Sequence, residues 1–313
     1  MGNLETKIAV IGLGGVGGMI ASMLASHGKQ ITVVARGERA AAIRKNGLVL
    51  HSDLKGEIQA MPAELVEDAS ELKDPELIFI CVKNYSLEEV CTSLYPVVNE
   101  KTIIVPVMNG VDPGDRIRVM LPKCTVVDSL IYIIGYANAD YSVTQEGQPL
   151  RIEIGKNHPT QKEAIAVKQV EKVMREADLN VHVTEDIICG IWQKYILNCA
   201  YNVATAAHDK TVGELRNDPQ LSREYEALVW EAYNVGKRMG VALKPEHAEH
   251  VIWRFYHEYP DSATSSMHRD FRAKHPAELE TFSGYIVKQA MRLGVDAPVS
   301  RMYYEICKHR LKQ

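Results

Sequence analysis

A glycine-rich turn between a β-type run and a helix-forming run limits the folds open to this chain more than any other feature. Gly12, Gly14 and Gly17 directly follow the short β-type run of residues 7–11, and residues 17–27 are rich in Ala, Met and Leu. In this context the G-x-G-x-x-G spacing predicts a dinucleotide-binding βαβ unit. Its glycines serve a tight turn, close approach of a pyrophosphate and helix–sheet packing. We expect phosphate contacts along the whole turn, Gly12, Leu13, Gly14, Gly15, Val16 and Gly17. The alternative is a strand–helix turn without a ligand.

Strand and helix signals alternate through the first part of the chain and predict an α/β fold with a parallel, doubly wound sheet. Further strand-like runs occupy residues 30–34, 77–82, 102–107, 126–134 and 150–154. Beyond Thr184 helical periodicity dominates, in residues 187–206, 222–239, 245–256, 279–293 and 300–311. We therefore predict a Rossmann-type domain over residues 1–184 and an all-helical domain over residues 185–313.

Composition limits the partners and the compartment that we expect. The balance of 40 acidic against 36 basic residues gives no support to a nucleic-acid partner. Residues 8–25 carry no charge, but five glycines among them argue against a signal peptide or membrane span. None of the six cysteines forms a C-x-x-C pair, which favours reduced thiols in a cytoplasmic protein and no metal site.

The end of the second predicted strand bears on the choice of nicotinamide cofactor. It reads Val34-Ala35-Arg36-Gly37, without the acidic residue that binds the ribose hydroxyls of NAD. Arg36 suits a bidentate pair with a 2′-phosphate, which favours NADP (NADPH). Glu38 argues in the other direction, and a solvated turn arginine is the alternative.

Two later strands end in polar residues, Lys83 and Asn109. Ligands of open α/β sheets lie beyond the carboxyl ends of the strands, so we expect both residues on the ribose and nicotinamide side of the cofactor. An exposed loop lysine and an Asn-Gly turn are the alternatives.

Lys194, Asn198 and Asn202 form a polar stripe on a helix that is otherwise apolar. Their i, i+4, i+8 spacing places them on one face along about 12 Å. A helix that is apolar nearly all round is usually buried, and a buried ammonium beside two amides is costly unless something binds there. The stripe predicts a polar pocket with a cation that can hold or give a proton. A surface lysine whose charge reaches solvent is the alternative.

Together these residues resemble the ketopantoate reductases (2-dehydropantoate 2-reductases) over nearly the whole chain. The glycine turn, Lys83, Asn109-Gly110 and Lys194-x3-Asn198-x3-Asn202 all match. So do Ser265-Ser266-Met267-x-x-Asp270 and Glu278 within Ala277–Gly284. The resemblance implies NADPH-dependent reduction of a small 2-keto acid, ketopantoate first, in the cytoplasmic synthesis of pantothenate and coenzyme A. It implies Lys194 as general acid, Glu278 as its partner, and Asn198, Asn202 and Ser266 as substrate contacts.

Several alternatives stay open at this level. Glu278 suits the first turn of a helix, and Ser266 suits a helix cap. Val212 and Ala263 are apolar where some family members carry amides, which puts the identity of the keto acid in doubt. The rivals are reduction of another 2-keto acid and a redox sensor that binds NADPH without turnover. The helical domain offers surface for a homodimer, although no heptad demands one.

Overall fold

The computed structural model describes residues 6–312, and they divide into two compact units. One unit ends at Ile187 and the other begins at Ile188. The strands of the first unit are β1 (Ile8–Ile11), β2 (Ile31–Val34), β3 (Leu48–Ser52), β4 (Gly56–Ala60), β5 (Glu64–Val66), β6 (Leu77–Ile80), β7 (Ile103–Pro106), β8 (Thr125–Val126), β9 (Asp128–Ala137), β10 (Val143–Gly155) and β11 (Val181–Thr184). Its helices are α1 (Gly15–Ser26), α2 (Gly37–Asn46), α3 (Leu87–Leu94), α4 (Pro113–Met120) and α5 (Gln161–Glu176).

The main sheet of the first unit confirms the predicted doubly wound α/β fold. Its strand order is β5-β2-β1-β6-β7-β8, and every pairing in it is parallel. All four residues of β1 are buried, as are those of β6, because the sheet is covered on both faces. The order reverses direction beside β1, so the turn after β1 lies at the switch point where such sheets bind ligands.

A second sheet in this unit was not predicted. Its order is β11-β10-β3-β4, with β9 paired antiparallel to β10. The predicted strand over residues 126–134 divides, since Val126 ends β8 in the main sheet and Asp128 begins β9 in the second. The sequence signal was weak because β4 is largely exposed and the middle of β10 is polar.

Helices are the regular secondary structure of the second unit, and its described residues include no strand, as the fold class predicts. Its helices are α6 (Ile187–His208), α7 (Val212–Arg216), α8 (Pro219–Arg238), α9 (Pro245–His257), α10 (Ser266–Arg272), α11 (Tyr285–Leu293) and α12 (Pro298–Arg310), with a π-helical turn at Glu280–Gly284. Large aromatic side chains fill its core, among them Tyr195, Tyr225, Tyr303, Phe255 and Phe282. No helix within residues 6–312 is long and apolar enough to cross a bilayer.

Short elements account for most of the differences from the predicted helices. Residues 279–293 were expected to form one helix, but a π-helical turn at Glu280–Gly284 precedes α11. The helices α7 and α10 span five and seven residues, too few to show a helical period in the sequence. Each begins with a Thr or Ser cap instead: Thr211 accepts from the Glu214 amide and Ser265 from the His268 amide.

Candidate active site

The first and last glycines of the turn after β1 are required by the protein's own geometry. Gly12 has φ +90°, and a Cβ there would lie 2.8 Å from the Val82 amide nitrogen. A Cβ on Gly17 would lie 2.0 Å from the carbonyl oxygen of Gly12. These two glycines therefore allow the turn to close tightly and α1 to pack against the strands.

Gly14 differs from them because nothing in the described chain explains it. A Cβ at this position would meet no atom within 4 Å. Gly14 is also the N-cap of α1, where no side chain caps the helix, and the first turn carries no acidic residue. The protein thus leaves open space beside Gly14, where α1 begins. This arrangement fits a dinucleotide pyrophosphate.

Arg36 lies at the N-cap of α2, just beyond β2. Its Nη2 is 2.8 Å from Oε1 of Glu89, and both side chains are largely exposed. The hydrogen bond and charge of Glu89 raise the pKa of Arg36. Sequence reasoning missed Glu89 because it lies 53 residues away along the chain. It also missed Arg39, which donates to the Leu13 carbonyl and thereby ties α2 to the glycine-rich turn.

Lys83 and Asn109 lie at the carboxyl ends of β6 and β7, and a third residue links these two ends. The buried side-chain amide of Asn84 donates to the backbone carbonyl oxygen of Asn109 at 2.7 Å. Arg116 in turn donates to the Asn84 side-chain oxygen at 3.4 Å. Asn84 follows Lys83 in the sequence, so it was visible as part of a polar strand end, but its bridging role depends on the sheet order.

Lys194 and Glu278 interact electrostatically within the helical unit. Lys194 is half-buried on α6, and Glu278 is 3% exposed, just before the π-helical turn. Burial lowers the pKa of Lys194 to about 8, and the negative charge of Glu278 opposes that shift. The ammonium can therefore release a proton near neutral pH, which an exposed lysine does rarely. The Glu278 carbonyl accepts from the amides of Thr281 and Phe282, so its backbone also initiates the following turn.

The structure brings Asn198, Asn202 and Ser266 together. The Asn202 side-chain oxygen accepts from the Ser266 hydroxyl and from the Met267 amide, each at 3.2 Å. Its side-chain nitrogen donates to Asn198 at 3.4 Å. The alternative in which Ser266 only caps α10 is wrong, because the cap is Ser265, whose Oγ accepts from the His268 amide.

A buried histidine, which the sequence did not single out, holds α10 against the end of α6. His268 Nε2 lies 2.7 Å from Asp209 Oδ1, and Arg272 donates to the same oxygen at 2.7 Å. These hydrogen bonds hold the pKa of Asp209 down at about 2. One helical turn before Asp209, Thr205 contacts Ser265 at 2.7 Å. The segment that carries Ser266 is thus fixed to α6 at two further points.

Comparisons with known proteins find family models that match most of the chain. A family model described as ketopantoate reductase PanE/ApbA matches residues 8–159, and the model of its C-terminal part matches residues 186–311. A 2-dehydropantoate 2-reductase of Archaeoglobus fulgidus is 28% identical over 297 residues, which cover 94% of both chains. An uncharacterized oxidoreductase of Bacillus subtilis is 27% identical over 302 residues, covering 95% of this chain and 96% of its own.

Solved structures share the fold over almost the full length. A PanE/ApbA family ketopantoate reductase from Ralstonia eutropha superposes with a TM-score of 0.88 at 23% identity, covering 98% of this chain and 99% of its own. A D-mandelate dehydrogenase, solved with NADH and anilino(oxo)acetate, superposes with a TM-score of 0.86 at 23% identity and the same coverage.

Proposed function

Because the chain belongs to the ketopantoate reductase PanE/ApbA family of oxidoreductases, we propose that it reduces 2-dehydropantoate to pantoate with NADPH, for pantothenate and coenzyme A synthesis. The unit that ends at Ile187 would hold the cofactor, and the unit that begins at Ile188 would hold the keto acid. The observation that carries the proposal is the pair of Lys194 and Glu278 beside the linked amides of α6.

Lys194 acts as the general acid in this proposal. When bound, the nicotinamide supplies the hydride that adds to the keto carbon. The carbonyl oxygen then gains negative charge, and the Lys194 ammonium stabilises that charge before donating one proton to it. The products are the 2-hydroxy acid and a neutral lysine, which solvent reprotonates. With a pKa of about 8, Lys194 is mostly charged at neutral pH and still gives up its proton readily.

The other residues of the helical unit position the substrate. Glu278 holds the ammonium in its charged form and orients it. Ser266 and Asn198 have polar groups to offer a bound keto acid, and Asn202 joins the two so that their spacing is fixed. Such preorganisation matters because a misplacement of about 1 Å costs on the order of 100-fold in rate.

The open face at Gly14 supports pyrophosphate binding, and Arg36 supports a preference for the 2′-phosphate of NADPH. Lys83 and Asn109 would contact the ribose and nicotinamide side, with Asn84 holding the two strand ends in register. Since the D-mandelate dehydrogenase was solved with NADH, both cofactors need to be tested.

The test is NADPH and NADH oxidation at 340 nm against a panel of 2-keto acids that includes 2-dehydropantoate and benzoylformate. We expect the highest kcat/KM for 2-dehydropantoate with NADPH. A higher value for another acid would contradict the proposed substrate but retain the reaction class. NADPH binding without turnover of any acid would replace the proposal with a non-catalytic sensor.

One observation favours a second candidate, the reduction of a 2-keto acid with a less polar side chain. Val212 and Ala263 occupy positions where some relatives of this family carry amides, and they are joined here by a backbone hydrogen bond of 3.0 Å. The Val212 side chain is apolar and so offers a ligand no hydrogen bond, and it is fully buried. A site without those amides discriminates less against apolar substrates. The same panel separates the candidates.

A further inference from the structure

Three carboxylates of the described chain concern Arg36, two through their charge and one through its position in the sequence. Glu38 lies two residues along the chain, and Asp68 and Glu89 act on the guanidinium through their charge. Glu89, on α3, is the one in direct contact, with its Oε1 at 2.8 Å from Nη2. A cation proposed to receive a phosphate is thus already occupied by an acid of the same chain.

The other two carboxylates are committed elsewhere. Glu38 Oε2 accepts a hydrogen bond from the Tyr141 hydroxyl at 2.6 Å, in the turn between β9 and β10. Asp68 Oδ1 accepts from the Ser70 amide at 2.9 Å and from the Ser70 hydroxyl at 2.7 Å. These bonds hold both acids in local structures that do not require Arg36. Glu38, which in the sequence argued against NADPH, is therefore turned toward Tyr141.

The contact between Arg36 and Glu89 costs little free energy to break. The two side chains are 71% and 63% exposed, and such pairs contribute little to stability. A 2′-phosphate accepts hydrogen bonds from the same planar guanidinium, two at a time, and it carries close to two negative charges. The N–H of Nη2 that Glu89 occupies is not available to a phosphate, and Glu89 would repel a phosphate placed beside Arg36. NADH has a ribose hydroxyl there and leaves the ion pair intact.

We propose that Glu89 competes with the cofactor's 2′-phosphate for Arg36, so that Arg36 favours NADPH over NADH and Glu89 limits that preference. This rests on the proposed function, because it takes Arg36 as the phosphate ligand. Glu89 is then a specificity-determining residue whose removal improves NADPH binding. A stabilising surface ion pair would have no such effect.

The test is a Glu89→Gln variant of the full chain, titrated with NADPH and NADH while the nicotinamide fluorescence is followed. We expect the Kd for NADPH to fall about two- to fivefold, the range that a released exposed ion pair allows, and the Kd for NADH to stay unchanged. The matched control is Glu88→Gln. Glu88 is the adjacent residue of α3 and pairs with Arg116 at 3.5 Å, so this variant removes the same charge without touching Arg36. A similar gain in Glu88→Gln, or equal gains for both cofactors, would reduce the effect to general electrostatics and overturn the proposal.

A double-variant cycle separates this proposal from the proposed function. Arg36→Ala should weaken NADPH binding and leave NADH binding nearly unchanged. In the Arg36→Ala background, Glu89→Gln should lower the Kd for NADPH much less than it does alone. If Arg36→Ala weakens NADPH but Glu89→Gln changes nothing, the competition is refuted and the phosphate role of Arg36 stands. If Arg36→Ala has no effect on the Kd for NADPH, both the competition and the phosphate role of Arg36 are refuted. None of these titrations needs a keto acid, so they do not depend on which substrate is reduced.

Discussion

The glycine-rich turn and the polar face of α6 present opposite kinds of chemistry to a ligand. At the turn the chemistry lies in the backbone, four of the six residues 12–17 are glycines, and the ion pair of Arg36 with Glu89 beyond β2 is exposed. On α6 the chemistry lies in side chains that are buried or half-buried and joined to one another, as Asn202 joins Ser266 to Asn198. Changes at the turn should therefore act through shape and binding, whereas changes on α6 should act through the rate and the substrate.

The largest expected effect is at Lys194. Lys194→Ala removes the proposed proton donor and the charge that stabilises the developing alkoxide, so kcat should fall about 100- to 10,000-fold. The Kd for NADPH should stay within about twofold, because Lys194 is not among the residues proposed to hold the cofactor. Single-turnover kinetics and cofactor titration on the same preparation measure both. A variant with near-normal kcat would refute the acid role.

Asn202 should give the next largest effect. Asn202→Ala leaves the Ser266 hydroxyl and the Met267 amide without their shared acceptor, at a cost of about 1–3 kcal/mol. If Ser266 binds the keto acid, KM should rise about tenfold or more. The control is Thr205→Val, one turn along α6, which loses the contact with Ser265 and so destabilises α10 without touching Ser266. Equal rises in KM for both variants would show that stability, and not substrate positioning, is at stake.

Two glycines of the turn offer a matched test of the binding side. Gly17→Ala places a Cβ against the Gly12 carbonyl, so the free energy of unfolding should fall by about 1–3 kcal/mol. Gly14→Ala meets no protein atom, so stability should hold while the Kd for NADPH rises about tenfold as phosphate contacts are lost. Urea unfolding and titration separate the two. Unchanged NADPH binding in Gly14→Ala would contradict a pyrophosphate at this turn.

The sequence made both regions visible for different reasons and hid the long-range contacts within each of them. Glycine spacing after a strand and an i, i+4, i+8 stripe are local patterns, so the sheet, the helical unit and most candidate residues could be predicted. The contacts of Arg36 with Glu89 and of His268 with Asp209 join residues more than 50 positions apart, and only the folded chain brings them together. The second sheet escaped because β4 is largely exposed and so lacks an apolar run.

The smallest expected effect concerns the pH dependence of the reaction. Reduction needs the charged form of Lys194, so kcat should fall as pH rises through about 8. Glu278 raises the pKa of Lys194, so Glu278→Gln should move this fall to lower pH. The control is Glu280→Gln, which removes an exposed carboxylate bonded to the Tyr304 hydroxyl and should leave the fall near pH 8. In the oxidation direction the neutral amine is the base, so the same titration should raise the rate with pH. If the fall stays near pH 8 in Glu278→Gln, this carboxylate does not control the pKa of Lys194. The proposal that Glu278 assists Lys194 as general acid then loses its electrostatic support.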